Sequence, residues 1–385
     1  MTIVHRWIER WCAFDRPLRA LPRAAAAALL LALAAALAWS SMAVPAMSTG
    51  DAKAQQTKAE HNGKKGIGDF ALYELIYERV AAGEDYYAVA IEEQRANRYP
   101  VKPFITVRLP TLVHVQELLS LPVLGYVLVG MLVLAIALFL PMTQDRSLLG
   151  ERVVGALALL FGASSIFARQ APLSHELVAG CLLTLALFAY RPHRYWPSLI
   201  LAAMALAFRE LALPFVLLWL VLALAGKRWR EASWVGAVIA LFALGLLLHA
   251  ENVAALVTPD DRTSPGWDAM AGPALPMLGL SRMTGLIFLP KWLAGPLAIL
   301  PLLGWLAIGG KRATFAAVWF GGFFLAMSLF ARVENYYWVL IVIPAYAAGL
   351  AFAPRAVLDL FAAAMGKAGK AGKTGKAGRV LEGQT

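Results

Sequence analysis

Ten stretches of this chain run for 13 to 23 residues with almost no charge: 24–46, 119–141, 153–168, 177–190, 196–208, 211–226, 232–250, 292–308, 313–330 and 338–352. A helix on the surface of a soluble domain shows a polar face, so unbroken apolar runs of this kind belong to a hydrocarbon solvent. There a spanning helix needs about 20 residues, and shorter half-spans occur where helices break. Composition agrees: 60% of residues are hydrophobic and 15% charged, against about 45–50% and about 25% in soluble domains. Disorder, which requires low hydrophobicity, is excluded as well. The expected fold is an all-α polytopic membrane protein of about ten spans, with a large outer-face loop after the first.

The net charge of +11 is a property of topology. With the N-terminus placed in the cytoplasm, 20 of the 35 Lys and Arg residues fall inside, mostly in short loops, and nine of the remaining 15 lie in one long outer loop. With the acidic residues included, the balance is +13 inside and −2 outside. This is the positive-inside pattern, which puts both termini in the cytoplasm; the membrane expected is the plasma (inner) membrane. The first run has a basic lead and small residues near Ala43 and Ala46, but it exceeds the 7–15 residues of a signal-peptide core, so an anchor is expected over a cleaved leader. Domains follow as a basic N-terminus (1–23), a membrane domain (24–353) that includes the outer loop (47–118), and a basic, disordered tail (354–385). The tail reads GKAGKAGKTGKAGR over 366–379, a solvated segment that is also attracted to anionic headgroups. Cys12 and Cys181 are not expected to pair, and no Cys/His spacing suits zinc.

The outer loop carries the most chemistry. Residues 48–66 read as a flexible lead. The segment 68–87 places Phe70, Tyr73, Tyr77 and Val80 at helical spacing, with Asp69 at the start as a cap and Gly83 at the end. A second amphipathic helix is expected over 86–98, and Arg108 follows in RLPTL. Aromatic-rich amphipathic helices beside a membrane lie in the interface plane, so the loop is expected to form a platform. A second outer loop, 251–290, holds Asp260, Asp261, Trp267 and Asp268 and is a candidate cap over a cleft.

One span followed by an outer loop that opens on an Asp, a Tyr-bearing helix, a Gly-Glu-Asp-Tyr-Tyr turn (83–87) and an Arg-Pro approach to the next span resembles the GT-C superfamily of integral-membrane glycosyltransferases. ALAFRELALPF at 205–215 and ARVENYYWVLIVIPAY at 331–346 are similar to that superfamily's outer-facing turns. Where many members carry two adjacent acidic residues, this chain has Asp69-Phe70. The resemblance implies transfer of a sugar from a polyprenyl-phosphate-linked donor to a hydroxyl of a lipid, glycan or protein acceptor at the outer face.

Such a transfer needs a base for the acceptor proton, cations for the departing phosphate, and exclusion of water. Residue type alone leaves Asp69 as either the base or only a helix cap; the resemblance favours the base. Arg209 and Glu210 interrupt an apolar stretch, which marks them as functional by default: Arg209 is either a phosphate ligand or half of a structural ion pair. Arg108 and Arg332 are further phosphate candidates among outer cations that include Arg169, Arg282 and Lys291, any of which serves equally well as an interfacial anchor. The substrate cleft is expected to include Tyr73, Glu74, Tyr86, Tyr87, Glu210, Tyr336 and Tyr337. Glu84 and Asp85 either line it or stabilise the turn, Asn335 is a sugar-bonding candidate, and His175 and His249 read as packed residues. No metal ligand set is assigned, a divalent cofactor is left open, and no role for nucleic acid is expected. Nothing resembles GxxxxGK[ST], which disfavours nucleotide-sugar donors and ATP-driven pumping. The rival readings are a transporter, loosely suggested by the break at 209–210, and a non-catalytic component of an envelope-assembly complex.

Overall fold

A computed structural model describes residues 15–62 and 67–366 together with Arg6, Trp11 and Cys12, with the backbone alone for 53–62. The Gly/Lys/Ala tail beyond Gly366 lies outside the described residues. The helices used below are α1 (Arg23–Asn62), α2 (Asp69–Ala81), α3 (Tyr86–Ala96), α4 (Thr111–Leu119), α5 (Leu121–Met142), α6 (Leu149–Gly162) and α7 (His175–Ala189). They continue with α8 (Trp196–Phe208), α9 (Leu213–Ala225), α10 (Trp229–Ala254), α11 (Ala274–Met283), α12 (Lys291–Ile308), α13 (Gly310–Phe330) and α14 (Ala353–Ala364). No strand occurs among the described residues, only an isolated bridge between Lys102 and Thr263.

This is an all-α membrane protein. Among the described residues six segments are long and apolar enough to cross a membrane: Arg23–Ala52, Leu121–Met142, Trp229–Ala254, Lys291–Ile308, Gly310–Phe330 and Ala345–Ala364. Nine of the ten sequence runs coincide with helices, but α6, α7, α8 and α9 are only 13–15 residues long. The tenth run is displaced. Residues 338–352 form two 3₁₀ segments, Val333–Ile341 and Ala345–Phe352, and the second leads directly into α14. The packed chain therefore passes the expected domain boundary at 353. Asp359 of α14 is buried and accepts a 3.0 Å hydrogen bond from Arg16 Nε, which ties α14 to the segment before α1. Residues 48–62 are helical rather than a loose lead, because Ala, Lys, Gln and Glu are all strong helix formers.

The short helices are central and the long ones peripheral. Every residue of α7 from His175 to Phe188 is buried, as expected for a helix apolar on all sides and enclosed by its neighbours. α7 packs on α8, α5 and the 333–341 segment. The approach to that segment is very close: a Cβ placed on Gly180 would lie 2.0 Å from the Leu340 carbonyl oxygen. The outer faces of α1 and α10 stay apolar and exposed, with Leu31 72% and Leu241 70% accessible, which suits contact with lipid tails.

The platform is a second, smaller core. Leu72, Ile76 and Val80 of α2 pack with Tyr86, Val89, Ala90 and Ile91 of α3, and with Val101, Val107, Val113 and Val253. The buried row of α2 thus runs 72–76–80, not through Phe70 and Tyr77 as the aromatic spacing suggests; Phe70 is exposed. Glu84 and Asp85 stabilise the turn. Glu84 pairs with Arg79, and the Asp85 carboxylate accepts a 2.9 Å bond from the Ala88 amide as the cap of α3. The 251–290 loop docks onto this platform. Its Arg262 carbonyl accepts from the amides of Val101 and Lys102, and Asp261 Oδ1 lies 2.7 Å from Arg95 Nε. α11, which the sequence reading missed, lies within this loop and is buried from Ala274 to Ser281.

Two outcomes are expected. Gly180→Val forces its side chain into the Leu340 carbonyl and destabilises the fold by about 1–3 kcal/mol, the usual range for overpacking, measured as a lower thermal midpoint in detergent. The second concerns pH. Arg95 and the Thr258 amide hold the Asp261 carboxylate below its ordinary value of 3.8. The clamp's contribution is therefore complete above about pH 3.8 and is lost as pH falls through the depressed value. Because Arg95 is 40% exposed, screening limits that contribution to about 1 kcal/mol. Asp261→Asn should lower the neutral-pH midpoint and lessen the fall between pH 4 and pH 2.

Candidate functional site

A 340 Å³ cavity lies between the platform and the central helices. It is lined by α2, α3, the 99–108 linker, the starts of α4 and α7, the α8–α9 break, the 251–290 loop and the 332–338 turn. Most of the residues singled out from the sequence converge there. Asp69, Arg108, Arg209 and Arg332 all line it, as do Tyr73, Tyr86 and Tyr337.

Local chain geometry explains the placement. Asp69 is the first residue of α2, and Gly68 occupies the cap position with no side-chain cap bond. The Asp69 carboxylate is therefore not spent on capping. Its Oδ1 lies 2.8 Å from the Tyr99 hydroxyl, which also lies 2.8 Å from the Ile67 carbonyl oxygen. Burial first, and then the Asp69 charge, push the Tyr99 phenol above its ordinary range, so Tyr99 remains a proton donor. Arg209 stands where α8 stops. Its backbone is extended, with φ −155 and ψ 121, and the chain resumes through the 3₁₀ turn Glu210–Ala212 into α9. The break carries a charge into the interior of the apolar bundle.

That charge is held by two carboxylates. Arg209 is 2% exposed and donates from Nε to Glu176 Oε1 at 2.7 Å, and it also pairs with Glu210. Glu176 sits in the first turn of α7, which Ser174 caps by accepting from the Leu177 amide at 3.2 Å. Its Oε1 also lies 3.8 Å from Arg108 Nη2. Arg108 is less firmly committed. It is 16% exposed, donates to the Tyr73 hydroxyl at 3.0 Å and the Tyr337 hydroxyl at 3.3 Å, and has its own carbonyl fixed by Tyr86. Burial pushes the Tyr73 and Tyr86 phenols above their ordinary range, which keeps both neutral. Arg332 Nε makes no hydrogen bond among the described residues. The cavity thus presents a carboxylate at the start of α2 and guanidinium groups at its other walls.

Other expected cleft residues lie elsewhere. Glu74 faces Arg169 at 3.4 Å, away from the cavity. Tyr87 bonds His249 Nδ1 at 3.2 Å, and His249 Nε2 lies 3.1 Å from the Val107 carbonyl, so this pair packs the platform. Tyr336 stacks under Arg282, and Arg282 pairs with Asp51 at 2.8 Å. Glu210 touches the site only through Arg209. Lys291 is held by Ser48. The sequence reading passed over Glu176, Tyr99, Gln94 and Gln116. An acidic residue just inside a Ser-capped apolar run, as in Ser174-His175-Glu176, was the available signal for Glu176. Ser264 and Trp267 of the second loop also line the cavity. Among the described residues no group of three His, Cys, Asp or Glu side chains is placed to hold a metal. Both cysteines are free and buried.

Compared with protein-family models, curated proteins and solved structures, the chain matches none.

The network makes a direct prediction. Removing one partner of a buried pair leaves an uncompensated charge at a cost of about 3–5 kcal/mol. Glu176→Gln is therefore expected to lower thermal stability strongly, whereas Tyr99→Phe, which leaves the pairs of Arg108 and Arg209 intact, changes it by about 1 kcal/mol.

Proposed function

We propose that this protein is a membrane glycosyltransferase that moves a sugar from a polyprenyl-phosphate donor to an acceptor hydroxyl on the outer face of the plasma membrane. The observation that carries the reading is the convergence of Asp69 with Arg108, Arg209 and Arg332 on one cavity, though they are far apart in sequence. In this reading the donor lipid lies with its chain in the bilayer and its headgroup in the cavity. Asp69 takes the acceptor proton, and the Tyr99 hydroxyl orients the carboxylate. Arg108 and Arg332 meet the phosphate, because each retains bonding capacity, and charge-assisted bonds to a phosphate strengthen as the sugar departs. Arg209, already paired with Glu176 and Glu210, supports the field of the site and positions Glu176 for Arg108. The platform and the 251–290 loop keep water out. The distribution of Lys and Arg along the chain supports cytoplasmic termini and an outward platform.

The test is incubation of the purified full chain with labelled polyprenyl-phosphate sugars and candidate acceptors, following release of the lipid phosphate. Asp69→Asn keeps the shape of the side chain and should reduce turnover by about 10²–10⁴-fold, the usual contribution of a general base. Arg108→Gln should weaken both donor binding and turnover. Full activity in the Asp69→Asn protein would remove Asp69 as the base.

A further inference from the structure

The cavity wall contains several buried polar atoms that the fold itself leaves without a partner. Oε1 of Gln116, Oγ1 of Thr106, Nε1 of Trp338 and Nε of Arg332 make no hydrogen bond among the described residues, and the His175 ring has no partner beyond the nearby Leu173 carbonyl. All five of these residues line the cavity. His175 is 2% exposed, its ring set edge-on to Tyr73 with centroids 5.2 Å apart. Gln116 is anchored at its other end, its Nε2 donating to the Pro172 carbonyl at 2.8 Å, so its free oxygen is held in place. Buried polar atoms are ordinarily paired, and each unpaired one costs stability. Several unpaired atoms on residues that line one cavity point to a partner other than the protein itself.

The kind of atom identifies the ligand chemistry. A neutral imidazole offers one donor and one acceptor, a threonine hydroxyl offers both, an amide oxygen accepts and an indole N–H donates. With Arg332 set aside, this set carries no charge and mixes donors with acceptors. It matches groups that do both, namely hydroxyls, and not a phosphate, which only accepts. Aromatic rings of Tyr73, Tyr337, Trp267 and Trp338 stand among them, giving flat apolar surfaces against which the C–H faces of a sugar ring can lie. A volume of 340 Å³ is at the low end of the usual ligand-pocket range of about 300–1,000 Å³, which suits one small headgroup.

We infer that His175, Gln116, Thr106 and Trp338 form a hydroxyl-reading wall, with His175 as its main specificity-determining residue, and that this wall selects the sugar carried on the lipid phosphate. The inference rests on the donor reading above and assigns a division of labour within it: arginines hold the phosphate, and the neutral wall reads the sugar. A site built to bond hydroxyls rejects analogues that lack them, because its own polar atoms are then left unpaired.

The test measures dissociation constants of the full chain, in detergent or nanodiscs, for bare polyprenyl phosphate and for polyprenyl phosphates carrying single hexoses or pentoses. The wild type should bind at least one sugar-bearing form about tenfold or more tighter than the bare lipid. His175→Phe, which keeps an aromatic ring beside Tyr73, and Thr106→Val, which keeps the shape and removes only an unpaired hydroxyl, should each erode that ratio several-fold while leaving the bare-lipid constant unchanged. Should His175→Phe fail to fold, Thr106→Val carries the measurement alone. A preference for sugar-bearing lipid that survives in the folded variants, or a wild type that binds bare and sugar-bearing lipid equally, overturns the wall and leaves the phosphate assignment standing. Absence of binding to every one of these lipids overturns the donor reading and this inference together.

Discussion

One carboxylate shared by two arginines holds the functional end of this molecule together. Glu176 bonds Arg209 at 2.7 Å and stands 3.8 Å from Arg108, and so links the start of the central helix, the break between two short helices, and the approach to α4. A charge such as Arg209 is tolerated inside an apolar bundle only when it is paired. The pairing fits the break of α8 at Arg209 and the start of α7 beside it, and it brings Arg108 of the platform linker to the same place.

The two cores divide the work. The large apolar core sets the helices in position, with α7 enclosed on every side. The small platform core, closed by the Arg95–Asp261 clamp, presents Asp69 and Tyr99 to the cavity from above. The cavity lies where the two meet, with Asp69 and Arg108 coming from the platform and Arg209 and Arg332 from the central helices and their turns. This arrangement makes the site sensitive to how the platform docks, and it gives the 251–290 loop a part in covering the site.

Much of this was legible in the sequence, for physical reasons. Apolar runs without charge are hard to misread, and nine of the ten coincide with helices. Arg209 and Glu210 stood out because a charge in hydrocarbon is costly. The tenth run was misplaced because Val, Ile and Tyr around Pro344 look the same to hydropathy whether they form an α-helix or two 3₁₀ turns. The aromatic spacing in α2 marked one helical face but not the buried one, because Leu72, Ile76 and Val80 form the row that packs. Glu176 was passed over because it lies next to an apolar run and reads as its polar boundary. Its importance depends on Arg108 and Arg209 arriving from elsewhere, which no local pattern encodes. Thr106 was not singled out, and His175 was read only as a packed residue, for the same reason: an unpaired atom is recognisable only when its surroundings are known.

The central claim is that this cavity holds the headgroup of a lipid-linked sugar, and a structure determined with a polyprenyl-phosphate sugar bound tests it most directly. The account predicts phosphate oxygens within hydrogen-bond distance of Arg108, with the sugar against His175 and its reacting end toward Asp69. A headgroup bound elsewhere, with the Asp69–Arg108 cavity still empty of lipid, would contradict it.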